Sequence, residues 1–197
     1  MNIWRGLGGS ALLTVSGMML LGACSVLPQP APLPQQYDFG LPAARSISGG
    51  LPLVTLAGVT APSWLDTTAI LYRRLDQRPR SLHYYAQHAW VARPAELLEE
   101  RLLNLLSQGT PEGSAARPAV LEVNLVQLEQ VFESPQSAYA QVAVRVSLDR
   151  RPAGLLLRRE FSARQATDAD VQGALVQLPL LVDEVLTELL AWLQEQQ

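Results

Sequence analysis

The sequence predicts an α/β fold: a mixed, largely antiparallel sheet covered by two main helices. Three observations point there. The second half carries three successive runs in which apolar residues recur every second position, as in half-buried strands. Two other stretches, 94–108 and about 168–195, space their leucines and valines three and four apart, as on one face of a helix. Strands come first, then a helix, three meandering strands and a last helix, an order that layers helices on a sheet.

The elements follow in chain order. Tyr37-Asp38-Phe39 reads as a short opening strand. "LPLVTLAGVTAP", 51–62, is β-rich and apolar on both faces, as in an interior strand, and Pro62 ends it. Trp64-Leu65-Asp66 begins a turn or short helix. "TAILYRRL", 68–75, and "SLHYYAQH", 81–88, form a hairpin around "DQRPR". Pro94 suits a first helical position, where its missing N–H does no harm. In the helix 94–108, Leu98, Leu102 and Leu105 share one side, Glu99, Glu100 and Arg101 point outward, and Gly109 is the stop.

A loop, 110–118, leads to the strand 119–132. There Leu121, Val123 and Leu125 alternate with Glu122 and Asn124, and then Val126 and Leu128 take over the apolar phase. A one-residue slip in a period-two pattern predicts a β-bulge near Leu125-Val126. "ESPQS", 133–137, turns the chain into the strand 138–148, apolar at Ala140, Val142, Val144, Val146 and Leu148. After "DRRPAG", the strand 155–164 repeats the pattern at Leu155, Leu157 and Phe161, with Arg159 in the same phase. Thr167 reads as the N-cap of the last helix, with Asp170 three residues on. That helix aligns Val171, Leu175, Leu178, Val182, Val185, Leu189 and Trp192, either as a coiled-coil seam or as a face on its own sheet. Leu181, Leu186 and Leu193 widen the face and favour the second. Pro179 removes one ladder bond and should kink it.

The N-terminal 36 residues are of another kind. "MNIWR" carries one side-chain charge, Arg5, and residues 11–21, "ALLTVSGMMLL", form an apolar run. Eleven residues suit a signal-peptide core and fall short of the roughly 20 that a membrane-spanning helix needs. Leu21-Gly22-Ala23-Cys24 resembles the bacterial lipobox, and Cys24 is the single cysteine of the chain. In such precursors the cysteine sulfur receives diacylglycerol, the leader is cut before it, and the new amino group is acylated. The alternative is an ordinary leader with an incidental cysteine, which has no second cysteine to pair with. One acyl chain anchors marginally at about 0.8 kcal/mol per buried CH₂; three anchor almost permanently. Ser25 in place of aspartate resembles the signal for sorting to the outer membrane. Prolines 28, 30, 32 and 34 alternate through 25–36, which favours polyproline II at about 3.1 Å per residue. This segment reads as a semi-rigid tether reaching about 35–40 Å, or else as a ligand for an aromatic groove. The organisation expected is a signal peptide over 1–23, an acylated Cys24 with its tether over 24–36, and a single domain over 37–197.

Composition excludes several functions. Beyond residue 23 the chain has fourteen arginines against 18 acidic residues, a net charge of −4, so charge gives no support for nucleic-acid binding. It contains no lysine, which excludes a P-loop ATPase, a lysine Schiff base and Ser-Lys catalysis. His83 and His88, five apart on a strand, point to opposite faces and make no joint metal site. No nucleophile elbow and no zinc-type spacing occurs. Glu99-Glu100 and Asp183-Glu184 read as solvated helix faces. The arginine clusters 73–74, 78 and 80, 150–151 and 158–159 are either edge charges that discourage aggregation or a patch for an acidic partner or lipid headgroups. No metal, no cofactor beyond the covalent lipid and no catalytic residue is expected.

Residues 61–106, "APSWLDTTAILYRRLDQRPRSLHYYAQHAWVARPAELLEERLLNLL", resemble the signature region of the ABC-type transport auxiliary lipoproteins, the PqiC/YmbA-like group. The matching elements are the Pro62…Trp64-Leu65-Asp66 turn, the Ile70-Leu71-Tyr72-Arg73 strand, the Tyr84…Trp90 segment and the helix begun by Pro94. Trp64 stands where members often have tyrosine. The resemblance implies an anticodon-binding-domain-like arrangement and a non-enzymatic accessory subunit of a lipid-transport system in which an MCE-domain protein bridges the periplasm. It implies an outer-membrane lipoprotein that docks this bridge, as a homo-oligomeric ring in some arrangements. The candidate partner contacts are Trp64, Leu65, Asp66, Tyr72, Arg73 and Trp90. Direct binding of an acyl chain in an apolar groove under the Trp64 turn is the alternative; a lipoprotein hydrolase is a third, weaker one.

Overall fold

The computed structural model describes residues 32–41, 50, 52–109, 118–150 and 154–196. The expectations for Leu21, Gly22, Ala23, Cys24 and most of the tether lie outside these residues. Seven strands, β1 (Gln35–Tyr37), β2 (Val54–Thr60), β3 (Ala69–Arg74), β4 (Leu82–Trp90), β5 (Ala119–Ser134), β6 (Ser137–Arg150) and β7 (Leu155–Thr167), and two helices, α1 (Pro94–Gly109) and α2 (Val171–Gln194), make a mixed α/β fold. The sheet runs β1-β4-β3-β5-β6-β7, with β2 also on β5, and does not close into a barrel. The β1/β4, β2/β5 and β3/β5 pairs are parallel, while the long β5/β6 and β6/β7 pairs are antiparallel.

β5 organises the sheet. On one side it pairs with β6 along its length; on the other its start pairs with β2 and its end, Gln130–Phe132, with β3. The predicted bulge is present, with the β5/β6 register slipping between Leu125 and Gln127. The slip keeps Leu121, Val123, Leu125 and then Leu128 in one core with β6's Ala140, Val142, Val144, Val146 and Leu148. Both helices bury most of their leucines in that core, so they cover one face of the sheet. α2 lies on β5, β6 and β7, as the wide apolar face required; the chain stays helical through the buried Pro179.

Several expectations shift. The opening strand is Gln35–Tyr37, so Asp38 and Phe39 lie beyond it. β2 is not an interior strand: among the described residues β5 is its one strand partner, and its apolar residues pack under α1. In α1 the fully buried series is Leu98, Leu102 and Leu106, strictly four apart, and Leu105 is half-buried beside it. Thr167 ends β7, and the N-cap of α2 is Asp170, whose Oδ1 accepts the Gly173 N–H at 2.8 Å. The strand wins Thr167 because its register with Ala138 completes the β6 ladder. Gly173 is required there: a Cβ would overlap the Asp168 carbonyl oxygen and crowd Thr167 Oγ1.

Candidate functional site

The six candidate contact residues divide into three kinds of environment. Leu65 is wholly buried, fixed by a turn in which the Leu65 and Asp66 N–H groups donate to the Pro62 carbonyl at 2.8 and 3.0 Å. Trp90, the last residue of β4, is also core: its ring meets Phe39 edge-on at 5.2 Å and its N–H donates to the Thr68 carbonyl at 2.7 Å. Neither can touch a partner. Their place in the motif is architectural.

Tyr72 and Arg73 are neighbours on β3 and therefore face opposite sides. Tyr72 joins an aromatic cluster on the helix side, stacked on His83 at 5.2 Å, tilted against Tyr85 at 4.7 Å and edge-on to Phe132 at 5.6 Å. Tyr85 donates its hydroxyl to Gln130 Oε1 at 2.5 Å, and the fully buried Gln130 donates Nε2–H to the Asp168 carbonyl at 2.7 Å. This chain ties β4 through β5 to the start of α2. Burial, with the Asp170 carboxylate behind it, pushes the Tyr85 hydroxyl well above the ordinary tyrosine range. An open cleft of about 510 Å³ lies there, lined by Tyr72, Arg74, Tyr85, Phe132 and Asp170 among others. Arg73 reaches the opposite face, where its guanidinium pairs with the buried Glu129 at 3.2 Å while Gln141 donates to the other Glu129 oxygen at 2.8 Å.

Trp64 and Asp66 are the exposed members of the motif. Asp66 meets Arg93 at 3.3 Å, and Arg93 also donates Nε–H to Glu96 at 3.0 Å and a second guanidinium N–H to the same carboxylate. The Arg93 backbone N–H donates to Glu96 Oε2 at 3.2 Å. The Trp64 turn is thus clipped to the first turn of α1, and the Arg93 hydrogen bonds hold the Glu96 carboxyl below its usual range. Among the described residues, Trp64, Asp66, Arg93 and Glu96 form one exposed aromatic and ionic patch. His83 and His88 do not share a site; His88 Nδ1 meets the Tyr37 hydroxyl at 3.0 Å.

Three features escaped the sequence. Arg101, expected outward, is buried: it pairs with Asp183 of α2 at 2.6 Å, donates to the Phe39 carbonyl at 2.9 Å and also to that of Gly40. Asp183 is accordingly not on a solvated face. An open, largely apolar groove of about 580 Å³ lies beside it, walled by Tyr37, Phe39, Leu41, Val176, Pro179 and Leu180 among others. Val176 and Leu180, four apart on the exposed stripe of α2 that also carries Gln172, Glu184 and Glu188, were the readable hint. Third, Glu99, expected on a solvated face, accepts the β2 Val59 N–H at 3.4 Å. No group of three or more metal-ligating side chains occurs among the described residues, and no described helix is long and apolar enough to cross a membrane.

Comparison with known proteins places this arrangement. Residues 38–189 match the family described as the ABC-type transport auxiliary lipoprotein component. Protein XCC0632 from Xanthomonas campestris, of the DUF330 family, shares the fold with a TM-score of 0.67 at 17% identity, over 82% of this chain and 98% of its own. A second solved structure, of an uncharacterized protein, gives 0.60 at 15% identity, over 84% of this chain and 100% of its own. No curated protein matches the chain.

Proposed function

Because the chain belongs to the ABC-type transport auxiliary lipoprotein component family, we propose that it is the lipid-anchored connector of an MCE-type lipid transporter at the outer membrane. The observation that carries this reading is the family match over 38–189, joined to the Leu21-Gly22-Ala23-Cys24 sequence upstream of it, which resembles a lipobox. Acyl chains on Cys24 moor the protein, the Pro-rich segment spaces the domain from the bilayer, and the domain docks the MCE-domain protein on the periplasmic side. The connector does no covalent chemistry. The exposed patch of Trp64, Asp66 and Arg93 supports docking, since an aromatic ring flanked by an ion pair is the composition of a binding hot spot. Pull-down of the anchored protein from solubilised membranes recovers an MCE-domain protein if this is right. Recovery of none under conditions that preserve transporter complexes rejects it. Intact mass of the membrane form reports the lipid on Cys24, and native mass counts the copies.

The groove between the 36–41 segment and α2 favours a second reading, in which the domain itself holds an acyl chain. The groove lies beside α2 and not under the Trp64 turn. Native mass spectrometry of the purified domain carries adducts of phospholipid mass in that case, and a bare protein mass discards it.

A further inference from the structure

Among the described residues the sheet has three strands with a free side, and two are guarded. β1 is three residues long. β2 is broken by a register slip between Leu56 and Gly58, where Gly58 takes a positive φ of 148°, and the Glu99 carboxylate of α1 accepts its Val59 N–H. Short length, a bulge and a covering helix are the ordinary protections of a sheet edge. β7 is neither short nor bulged; α2 packs against it, and charged side chains are the guard it does carry. Its thirteen residues, Leu155–Thr167, contain no proline and pair with β6 without a register slip, and among the described residues nothing pairs with its outer side.

Its side chains say what would fit. Leu155 and Leu156 are 48% and 49% exposed. Two residues on, Arg158 and Arg159 are exposed and have no acidic partner among the described residues, while Arg145 holds Glu160 at 3.0 Å and Glu133 holds Arg164 at 3.1 Å. The start of β7 therefore presents an apolar pair followed by a cationic pair with no acidic partner among the described residues, one residue of each pair per face, with the Arg159 guanidinium lying over the Phe161 ring at 5.1 Å. A second copy does not supply the complement: symmetric antiparallel pairing of two β7 strands about Phe161 sets Arg158 against Arg164, and in other registers β7 offers a single carboxylate, Glu160, already held by Arg145.

We propose that β7 is a strand-addition site for an extended segment of a partner protein carrying an apolar pair next to two carboxylates. Backbone hydrogen bonds along the open edge supply affinity, and the Leu155-Leu156 and Arg158-Arg159 pairs set the register. The site is independent of the docking patch at Trp64, so either can fail alone.

The test uses the full chain in detergent micelles and two synthetic peptides, Thr-Val-Leu-Leu-Thr-Glu-Glu-Thr-Val and the reversed sequence. Expected is slowed amide exchange within 155–164 on addition of one of them. Lysine in place of both peptide glutamates weakens binding about ten-fold, as two cross-strand charge pairs allow. The double variant Arg158→Glu, Arg159→Glu loses the glutamate peptide and gains the lysine peptide, a swap that misfolding cannot mimic. No protection of β7 by either peptide, protection indifferent to the charge swap, or protection that rises with protein concentration alone overturns the proposal.

Discussion

Two arginines at the two ends of α1's first two turns make the same kind of bond in opposite surroundings. Arg93 sits 48% exposed and joins Asp66 and Glu96 across the outside of the Trp64 turn. Arg101, two turns later, is 6% exposed and joins Asp183, 13% exposed, with the carbonyls of Phe39 and Gly40 accepting from its Nη2. At the surface, water already solvates each charge, so pairing changes little and salt screens it. In the interior the charges have lost their water, so each depends on the other. The Arg93 clip therefore suits a surface that a partner can remodel. The Arg101 clasp suits a joint that must not move: it holds α1, α2 and the segment after β1 together.

Breaking that clasp should have the largest effect. Arg101→Met takes the guanidinium from the half-buried Asp183 and from the Phe39 and Gly40 carbonyls, and it should cost about 3 kcal/mol in urea unfolding. Adding Asp183→Leu should return most of this loss, because an apolar pair needs no compensation. If the single variant unfolds like the parent chain, the distinction between the two arginines collapses.

Arg73 is the intermediate case, one quarter exposed against the buried Glu129. Arg73→Ala should cost about 2–3 kcal/mol, since Gln141 still serves one of the two Glu129 oxygens. A loss as large as that at Arg101 would mean that burial of the acid alone sets the scale.

Tyr85→Phe removes one donor from Gln130 and should cost about 1 kcal/mol at neutral pH. The parent hydroxyl keeps its proton in the fold at a pH where the unfolded chain releases it, at about pH 10. Above that pH the native state binds more protons than the unfolded one, so parent stability falls as pH rises, and the Phe variant should lose less. Parallel curves from pH 9 to 11 would refute the assignment.

The smallest change should follow Arg93→Ala, with a melting temperature inside measurement scatter. The Glu96 carboxyl titrates low because of Arg93, so its small contribution is present above the ordinary glutamate range and fades as pH falls through the lowered value. Added salt should erase it. A drop in partner recovery with an unchanged melting temperature would separate docking from folding at this patch.

The same contrast explains what was legible from sequence. Period-two alternation marked β5, β6 and β7, and the phase slip located the bulge at Leu125–Gln127, because both are patterns between near neighbours. Arg101 was read outward because a helical wheel grades residues by type and cannot see Asp183 arriving from a helix 82 positions on. β2 was read as interior because an apolar run is the same whether a strand or a helix covers it. Thr167 was read as a cap because serine-like residues suit that place, yet the β6 ladder extends to it. The Trp64 motif was located correctly as a segment, but its members divide between core and surface on a tertiary basis: Leu65 and Trp90 hold the turn and Trp64 is left outside.

β5 also sets a timetable. During synthesis the N-terminal residues emerge first, but β2 has β5 as its strand partner and the tail of β3 leans on β5's far end. Val54 must wait for Ala119, with all of α1 between them. The β5–β6–β7 meander, by contrast, closes through adjacent hairpins and can form as soon as it exists. β1, β3 and β4 can pair among themselves, so β2 is the strand that emerges early and waits longest for its template.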